Sequence, residues 1–231
     1  MVVTSSDWSP AIVHCGLLVE PAYIPALRYH PLTHCYDFII KATIRESAFK
    51  SRLVEQVSAR PGHHLLDLGC GTGTLTLMLK SRYPQAEVTG LDADPQVLAL
   101  ARAKTTAGTG VQFQQGMSFA LPIPDQAIDG VVSSLMFHHL ARDAKQKTLA
   151  EIHRVLRPGG QLHIADFGRP QNPLQRFAFL WVQIFDGFRP TRDNVAGRLP
   201  DLIRDTGFSN LEETAAFATM FGTIRLLQAQ K

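Results

Sequence analysis

Residues 65–76 read LLDLGCGTGTLT, an apolar run with one carboxylate, Asp67, followed by Gly69, Gly71 and Gly73 at alternate positions. A strand that ends in alternating glycines brings bare backbone amides close to a ligand, because side chains would block the approach. Asp67 restricts what that ligand can be: a carboxylate just before the loop repels a pyrophosphate and attracts positive charge. The spacing is G-x-G-x-G, and Thr74 stands where the dinucleotide fingerprint requires its third glycine. No Lys-Ser or Lys-Thr pair follows, which removes a phosphate-cradling P-loop. For the glycines alone, a tight turn without a ligand is the plain alternative.

Downstream, the apolar run 88–91 ends at Asp92, near the ~20-residue interval at which an acid accepts both hydroxyls of a ribose in folds of this kind. Helix capping is its other reading, but Asp94 already occupies the cap position before Pro95. His138 and His139 follow the run 128–133, at the edge where open α/β sheets bind ligands. A histidine there titrates near neutral pH and can take a proton; satisfying a backbone group is the alternative for one of the two. Asp166 ends the run 161–165 and reads either as a catalytic carboxylate or as a helix cap. Tyr29, His30, His34 and Tyr36 form a polar aromatic cluster ahead of the core that reads as closing a pocket.

These residues need a scaffold, and the changing period of the apolar pattern describes one. Runs at 64–68, 88–91, 111–115, 128–133 and 161–165 read as strands. Helices are signalled after Gly73, at Asp94-Pro95, and from Asp143 towards Leu156. Strands alternating with helices imply an α/β, Rossmann-like doubly wound sheet, mostly parallel and covered on both faces. Helical spacing from 36 to 57, clearest at Phe49, Leu53 and Val57, places a helical cap before the first strand, ended by Pro61-Gly62.

Residues 174–188, LQRFAFLWVQIFDGF, form another helical pattern, with Leu174, Phe177, Trp181, Ile184, Phe185 and Phe188 on one face and Phe179 and Val182 off it. A helix apolar on more than one side has to be covered on several sides. It reads as a lid that packs on the sheet and lines a hydrophobic acceptor pocket with Phe177 and Trp181, with plain core packing as the alternative. A last helix at 199–205 precedes two β-like runs, 211–216 and 221–227, joined too closely for a crossover and therefore antiparallel.

With 231 residues, 45% of them apolar, the chain can bury one substantial core. The expectation is a single domain over 1–231, divided into a cap segment 1–60, a ligand-binding core 61–168, a lid region 169–206 and a hairpin 207–231. Pro10, Pro21, Pro25 and Pro31, interleaved with Trp8, Tyr23 and Tyr29, make residues 1–31 an extended segment draped over something. The net charge is +3, but Lys and Arg are scattered with no basic block, so no nucleic-acid partner is expected. Cys15, Cys35 and Cys70 include no CxxC pair, which argues against a disulfide framework and a zinc knuckle and for reduced thiols in a cytoplasm. No signal-peptide pattern opens the chain and no run reaches the ~18 apolar residues of a spanning helix, so no integral membrane contact is expected.

Taken in order, LLDLGCGTG, VTGLDADPQVLALARAK, LPIPDQAIDGVVSSLMFHHL and EIHRVLRPGGQLHIADF resemble the motifs of the class I S-adenosylmethionine-dependent methyltransferases, nearest to the small-molecule branch typified by the ubiquinone and menaquinone C-methyltransferases. The resemblance runs through residues 36–168 and more weakly through the C-terminal third. It implies a seven-stranded sheet with a final antiparallel hairpin, and S-adenosyl-L-methionine as cofactor. By position it implies that Asp67 and the loop Gly69, Cys70, Gly71, Thr72 and Gly73 hold the methionine end, Asp92 the ribose, and Ala93 the adenine face. Ser133 and Ser134 would line the methionine half. After Gly116 the family usually carries an acid that accepts from the adenine amino group; this chain has Met117, which packs but accepts poorly, leaving Ser118 or a backbone carbonyl to substitute.

The activity so implied is methyl transfer to a small hydrophobic or aromatic acceptor, at O, N or C. In such an in-line displacement, placing the acceptor is most of the task, and a base is required only if the nucleophile arrives protonated, as phenols and carbon acids do. A nicotinamide oxidoreductase lacks its third glycine here. A nucleic-acid methyltransferase lacks its Asn/Asp-Pro-Pro-aromatic signature, since SSLM follows the fourth strand. The metal-dependent catechol type needs an Asp-Asn pair where this chain reads DFGRP, so no metal is expected. A subunit that binds the nucleoside without catalysis shares all these motifs and stays open, as do the atom methylated and the oligomeric state.

Overall fold

The computed structural model describes residues 46–105 and 109–231. Along the chain come α1 (Glu46–Gln56), β1 (His64–Leu68), α2 (Thr74–Arg82), β2 (Glu87–Asp92), α3 (Pro95–Ala103), β3 (Val111–Gln115) and β4 (Ile128–Ser134). A single 3-10 turn, Phe137–His139, leads to α4 (Arg142–Val155) and β5 (Leu156–Phe167). Then follow α5 (Pro173–Asp186), α6 (Phe188–Ala196), α7 (Leu199–Asp205), β6 (Ser209–Thr219) and β7 (Gly222–Gln230).

The seven strands lie in the order β3-β2-β1-β4-β5-β7-β6. Every pairing from β3 to β5 is parallel, and β7 runs antiparallel to both β5 and β6. The expected fold class therefore holds, closing hairpin included. The order reverses between β1 and β4, so the crevice beyond their carboxyl ends is where this topology leaves room for a ligand.

Alternation along the strands assigns each face its helices. Leu66, Leu68, Val131, Leu162, Ile164 and Leu227 share one core with Leu149 and Ile152 of α4 and Leu202 and Ile203 of α7. Leu65, Val132, Ala165, Ile224 and Leu226 share the other with Phe49 and Leu53 of α1, Leu75 and Leu79 of α2, and Phe179 and Val182 of α5. Burying each such side chain contributes about 1.5–3 kcal/mol, so the two layers fix the register of the sheet.

Local signals set the helix ends. Asp94 accepts from Gln96 N at 2.8 Å and Pro95 opens α3, as its sequence implies. Asn172 does the same for α5, accepting from Gln175 N at 2.8 Å ahead of Pro173. Two expectations need correcting. Helix α4 starts at Arg142, with Asp143 in its first turn and Ala141 at the cap without a side-chain bond. The helical pattern at 174–188 is broken by Gly187 at φ 93, and α6, which the sequence did not signal, follows it. Its buried residues are Thr191, Asp193 and Asn194, so no apolar period betrays it.

Candidate functional site

Gly69, Gly71 and Gly73 all adopt positive φ, at 73°, 52° and 77°. They are glycines for different reasons. A Cβ on Gly69 would meet Met136 at 2.5 Å and one on Gly73 would meet Phe113 at 2.8 Å, whereas one on Gly71 would meet nothing within 4 Å among the described residues. Gly71 is thus the point where bare backbone faces open space. The turn is tied down by Gly69 N and Cys70 N, both donating to Leu91 O, and by Gly73 N donating to Cys70 O. Lys104 Nζ donates to Thr72 O at 2.8 Å and to Thr72 Oγ1 at 2.9 Å, a contact the sequence did not reveal. The Cys70 thiol is buried, and burial pushes its pKa up, so it is no nucleophile.

Asp67 lies beneath this loop, almost fully buried. Its Oδ2 accepts from Thr76 Oγ1 at 2.6 Å, while Oδ1 has no hydrogen-bond partner among the described residues. Burial pushes the carboxyl up to about 6; the Thr76 hydrogen bond and the charge of Lys50 oppose the rise and the charge of Asp92 adds to it. Ser134 Oγ, at the end of β4, is the other buried side-chain atom without a partner among the described residues. By strand alternation Ser134 shares a face with Val132, which pairs with Asp67 across β1 and β4. Both orphan atoms therefore sit on one face of the sheet, towards its carboxyl edge and beside the switch point. Ser133, in contrast, donates to Leu68 O at 2.9 Å and is satisfied within the sheet.

At the end of β2, Asp92 Oδ2 accepts from Gly71 N at 2.8 Å and Oδ1 from Asp94 N at 3.0 Å. Ala93 follows, its carbonyl accepting from Gln115 Nε2 at 3.1 Å. Met117 is partly exposed beyond β3. Ser118 is engaged elsewhere, its hydroxyl 2.9 Å from Thr148 Oγ1 on α4, which weakens it as a replacement for the missing acid.

On the far side of the switch point, His138 Nδ1 lies 2.8 Å from Asp166 Oδ1, and His138 N donates to Asp166 Oδ2 at 3.2 Å. Both side chains are buried. The carboxylate also accepts from Phe167 N at 2.7 Å. It caps no helix. Burial alone would raise the Asp166 carboxyl, but the charge and hydrogen bond of His138, the Phe167 N–H and Lys145 hold it below the usual range. Such a pair fixes the imidazole tautomer with the proton on Nδ1 and directs basicity to Nε2. His139 stacks on His138 with ring centroids 4.0 Å apart, and burial, then the His138 charge, push its pKa down to about 3. The 2.8 Å contact to Asp166 Oδ1 is what orients His138.

The α5 reading needs revision. Phe179 and Val182, off the main stripe, are the residues that pack on the sheet, while Phe177 is 67% and Trp181 54% exposed together with Leu174, Ile184 and Phe188. A cavity of about 300 Å³ beside Asp166 is lined by Phe167, Arg169, Asn194, Pro200 and Arg225, and Phe177 and Trp181 stand outside it. Tyr29, His30, His34 and Tyr36, like Cys15 and Cys35, lie outside the described residues. No cluster of His, Cys, Asp or Glu suited to a metal occurs among the described residues, and no helix there is long and apolar enough to cross a membrane.

A family model described as a methyltransferase domain matches residues 65–160. The chain is 39% identical over 143 residues to a demethylmenaquinone methyltransferase of Thermus thermophilus, a match covering 62% of this chain and 63% of the relative's length. It is 35% identical over 200 residues to a demethylmenaquinone methyltransferase of Symbiobacterium thermophilum, covering 75% of this chain and 78% of that protein. Among solved structures, the YcgJ protein of Bacillus subtilis superposes with a TM-score of 0.67 at 16% identity over 80% of this chain and 98% of its own, which establishes a common fold.

Proposed function

The chain belongs to the class I S-adenosylmethionine-dependent methyltransferases, and from that membership we propose that it methylates a small hydrophobic acceptor with an ionisable hydroxyl, of the quinol or phenol type. The relatives named above support that acceptor class. The observation that carries the cofactor half is the buried Asp67 Oδ1, unpartnered among the described residues, on the strand that leads into the glycine loop. A buried acceptor left unpaired is costly, and an ammonium donor supplied by a ligand would relieve it. The donor set fits S-adenosylmethionine, which carries an ammonium and no phosphate. When bound, it supplies an electrophilic methyl group on a positively charged sulfur.

In this reading the chain's own residues bind and orient. Asp67 and Gly69 to Gly73 take the amino-acid end, with Ser134 Oγ as a further polar contact. Asp92, already ordered by two backbone amides, takes the ribose hydroxyls. Ala93 and Met117 pack on the adenine. The His138–Asp166 pair holds the proton that the acceptor gives up, at Nε2, while Asp166 stabilises the imidazolium formed. Scattered basic residues support a small-molecule acceptor over a nucleic acid, and the cysteine pattern supports a cytoplasmic setting.

Titration calorimetry with S-adenosylmethionine and its demethylated product tests the cofactor half, and absence of heat for both would refute it. Tritiated methyl transfer to quinols, phenols, amines and thiols tests the acceptor half. Intact binding without transfer to any of these would leave a nucleoside-binding subunit in place of an enzyme.

A further inference from the structure

Behind Asp166, two fully buried polar residues converge from α4 and α6. Lys145 Nζ donates to Pro190 O at 2.7 Å and to Asn194 Oδ1 at 2.9 Å, with Asp193 Oδ2 at 3.9 Å. Asn194 Nδ2 in turn donates to Phe167 O at 2.8 Å and lies 3.3 Å from Asp166 Oδ1. A lysine with no exposed surface is rare, because removing an ammonium from water is costly unless its donors are engaged. Packing on α4 alone would be served by an apolar side chain.

The chemistry of the amide explains the arrangement. An ammonium has only donors, so it accepts only the oxygen of the Asn194 amide as its neighbour, and the NH2 group is thereby turned towards Asp166. The reverse orientation would set oxygen against carboxylate and NH2 against ammonium. We propose that Lys145, acting through Asn194, is a positioning residue for the His138–Asp166 pair: it fixes the amide that donates to Asp166 and so holds the carboxylate where it accepts the Nδ1 proton of His138. The inference rests on the reading of His138 as proton acceptor given above.

Among the described residues, the charged and titratable groups around the pair are His139 from the 3-10 turn, Arg142 and Lys145 from α4, Asp193 from α6, and Arg169, which lines the same cavity as Asp166. Arg142 Nη1 lies 3.5 Å from Asp193 Oδ1, so two cations share one acid and a net positive charge backs Asp166. Arg225, cross-strand from Asp166 on β7, is engaged by Glu213 of β6. Removing the Lys145 cation, or adding a carboxylate at 194, favours the imidazolium of His138 in either case.

The test follows the ring nitrogens of His138 by 15N NMR in the full chain, beside the pH profile of kcat/KM for methyl transfer. Lys145→Met removes the cation; Asn194→Asp keeps an oxygen for Lys145 and removes the donor towards Asp166, and it serves alone should the first variant not fold. In each, the lost positive charge should raise the His138 titration and the acidic limb with it by about one pH unit, while the carboxylate no longer held in place should alter the Nδ1–H signal and lower the pH-independent kcat about tenfold. A role in packing alone would lower the melting temperature and leave the His138 titration and its Nδ1–H signal unchanged; that result in a folded variant overturns the proposal. If the NMR shift appears while His138→Gln keeps full turnover, the positioning stands and the proton-acceptor reading fails.

Discussion

The backbone N–H of Gly71 donates to Asp92 Oδ2 at 2.8 Å, which ties the centre of the glycine loop to the acid at the end of β2. With its other oxygen on Asp94 N, the carboxylate is oriented before any ligand arrives. Preorganisation of this kind lowers the ordering cost of binding.

Asp92→Ala unpairs both amides and removes the proposed ribose acceptor. S-adenosylmethionine affinity should fall more than about fivefold, a loss above about 1 kcal/mol, read by calorimetry. Unaltered affinity would remove Asp92 from the ribose role.

Gly71→Ala and Gly69→Ala should fail in different ways. Both incur the ~1–2 kcal/mol cost of a left-handed backbone. At 71 the added methyl enters open space and obstructs the ligand, so binding is lost with a modest change in melting temperature. At 69 it strikes Met136, so thermal stability drops first. Thermal melts paired with calorimetry separate the two.

Asp67→Asn trades binding against stability. Asp67 titrates near 6 in the folded chain against an ordinary 3.8, so the folded state holds the proton more tightly. Its contribution favours folding below about 3.8 and is lost as pH rises through 6. Above that pH the amide should stabilise the ligand-free protein by up to about 3 kcal/mol while weakening S-adenosylmethionine binding. Urea unfolding at pH 4 and pH 7.5 checks the sign, and equal changes at both would contradict it.

His163 shapes the acid side of the stability curve. It is fully buried on β5, 3.2 Å from Gln56 Nε2, and burial pushes its pKa down to about 4 from 6.5. Its stabilising contribution is complete above 6.5 and is lost as pH falls towards 4. His163→Gln should flatten that fall by roughly 3 kcal/mol. Asp67 acts in the opposite direction over part of this range, so the comparison is made in an Asp67→Asn background.

Trp181→Ala tests the exposed stripe of α5. If the stripe meets the acceptor, KM for the acceptor rises while S-adenosylmethionine affinity holds. An equal loss of both would show that Trp181 serves only the fold.

Elements built on period or on a cap were legible in the chain: β1, β3, α3 and α7 lie where alternation, Asp94-Pro95 and the last helical run place them. So was the pairing of glycine loop and acid, because a close backbone approach leaves glycines and a charge preference leaves a carboxylate. Helix α6 was not, since polar contacts hold it and polar residues carry no period. Which face of α5 packs was not legible for a related reason: a helix with apolar residues on more than one side does not say which side meets the sheet.

What the sequence determined by itself was the order of elements along the chain and the ligand chemistry of the glycine loop, both consequences of neighbours in the chain. Only the tertiary structure decided that Gly71 alone among the loop glycines faces open space, that Ser134 and not Ser133 is left unpartnered, and that Lys145 and Asn194 stand behind Asp166. Each depends on atoms brought together from distant elements, where burial and hydrogen-bond geometry, not spacing, assign the role.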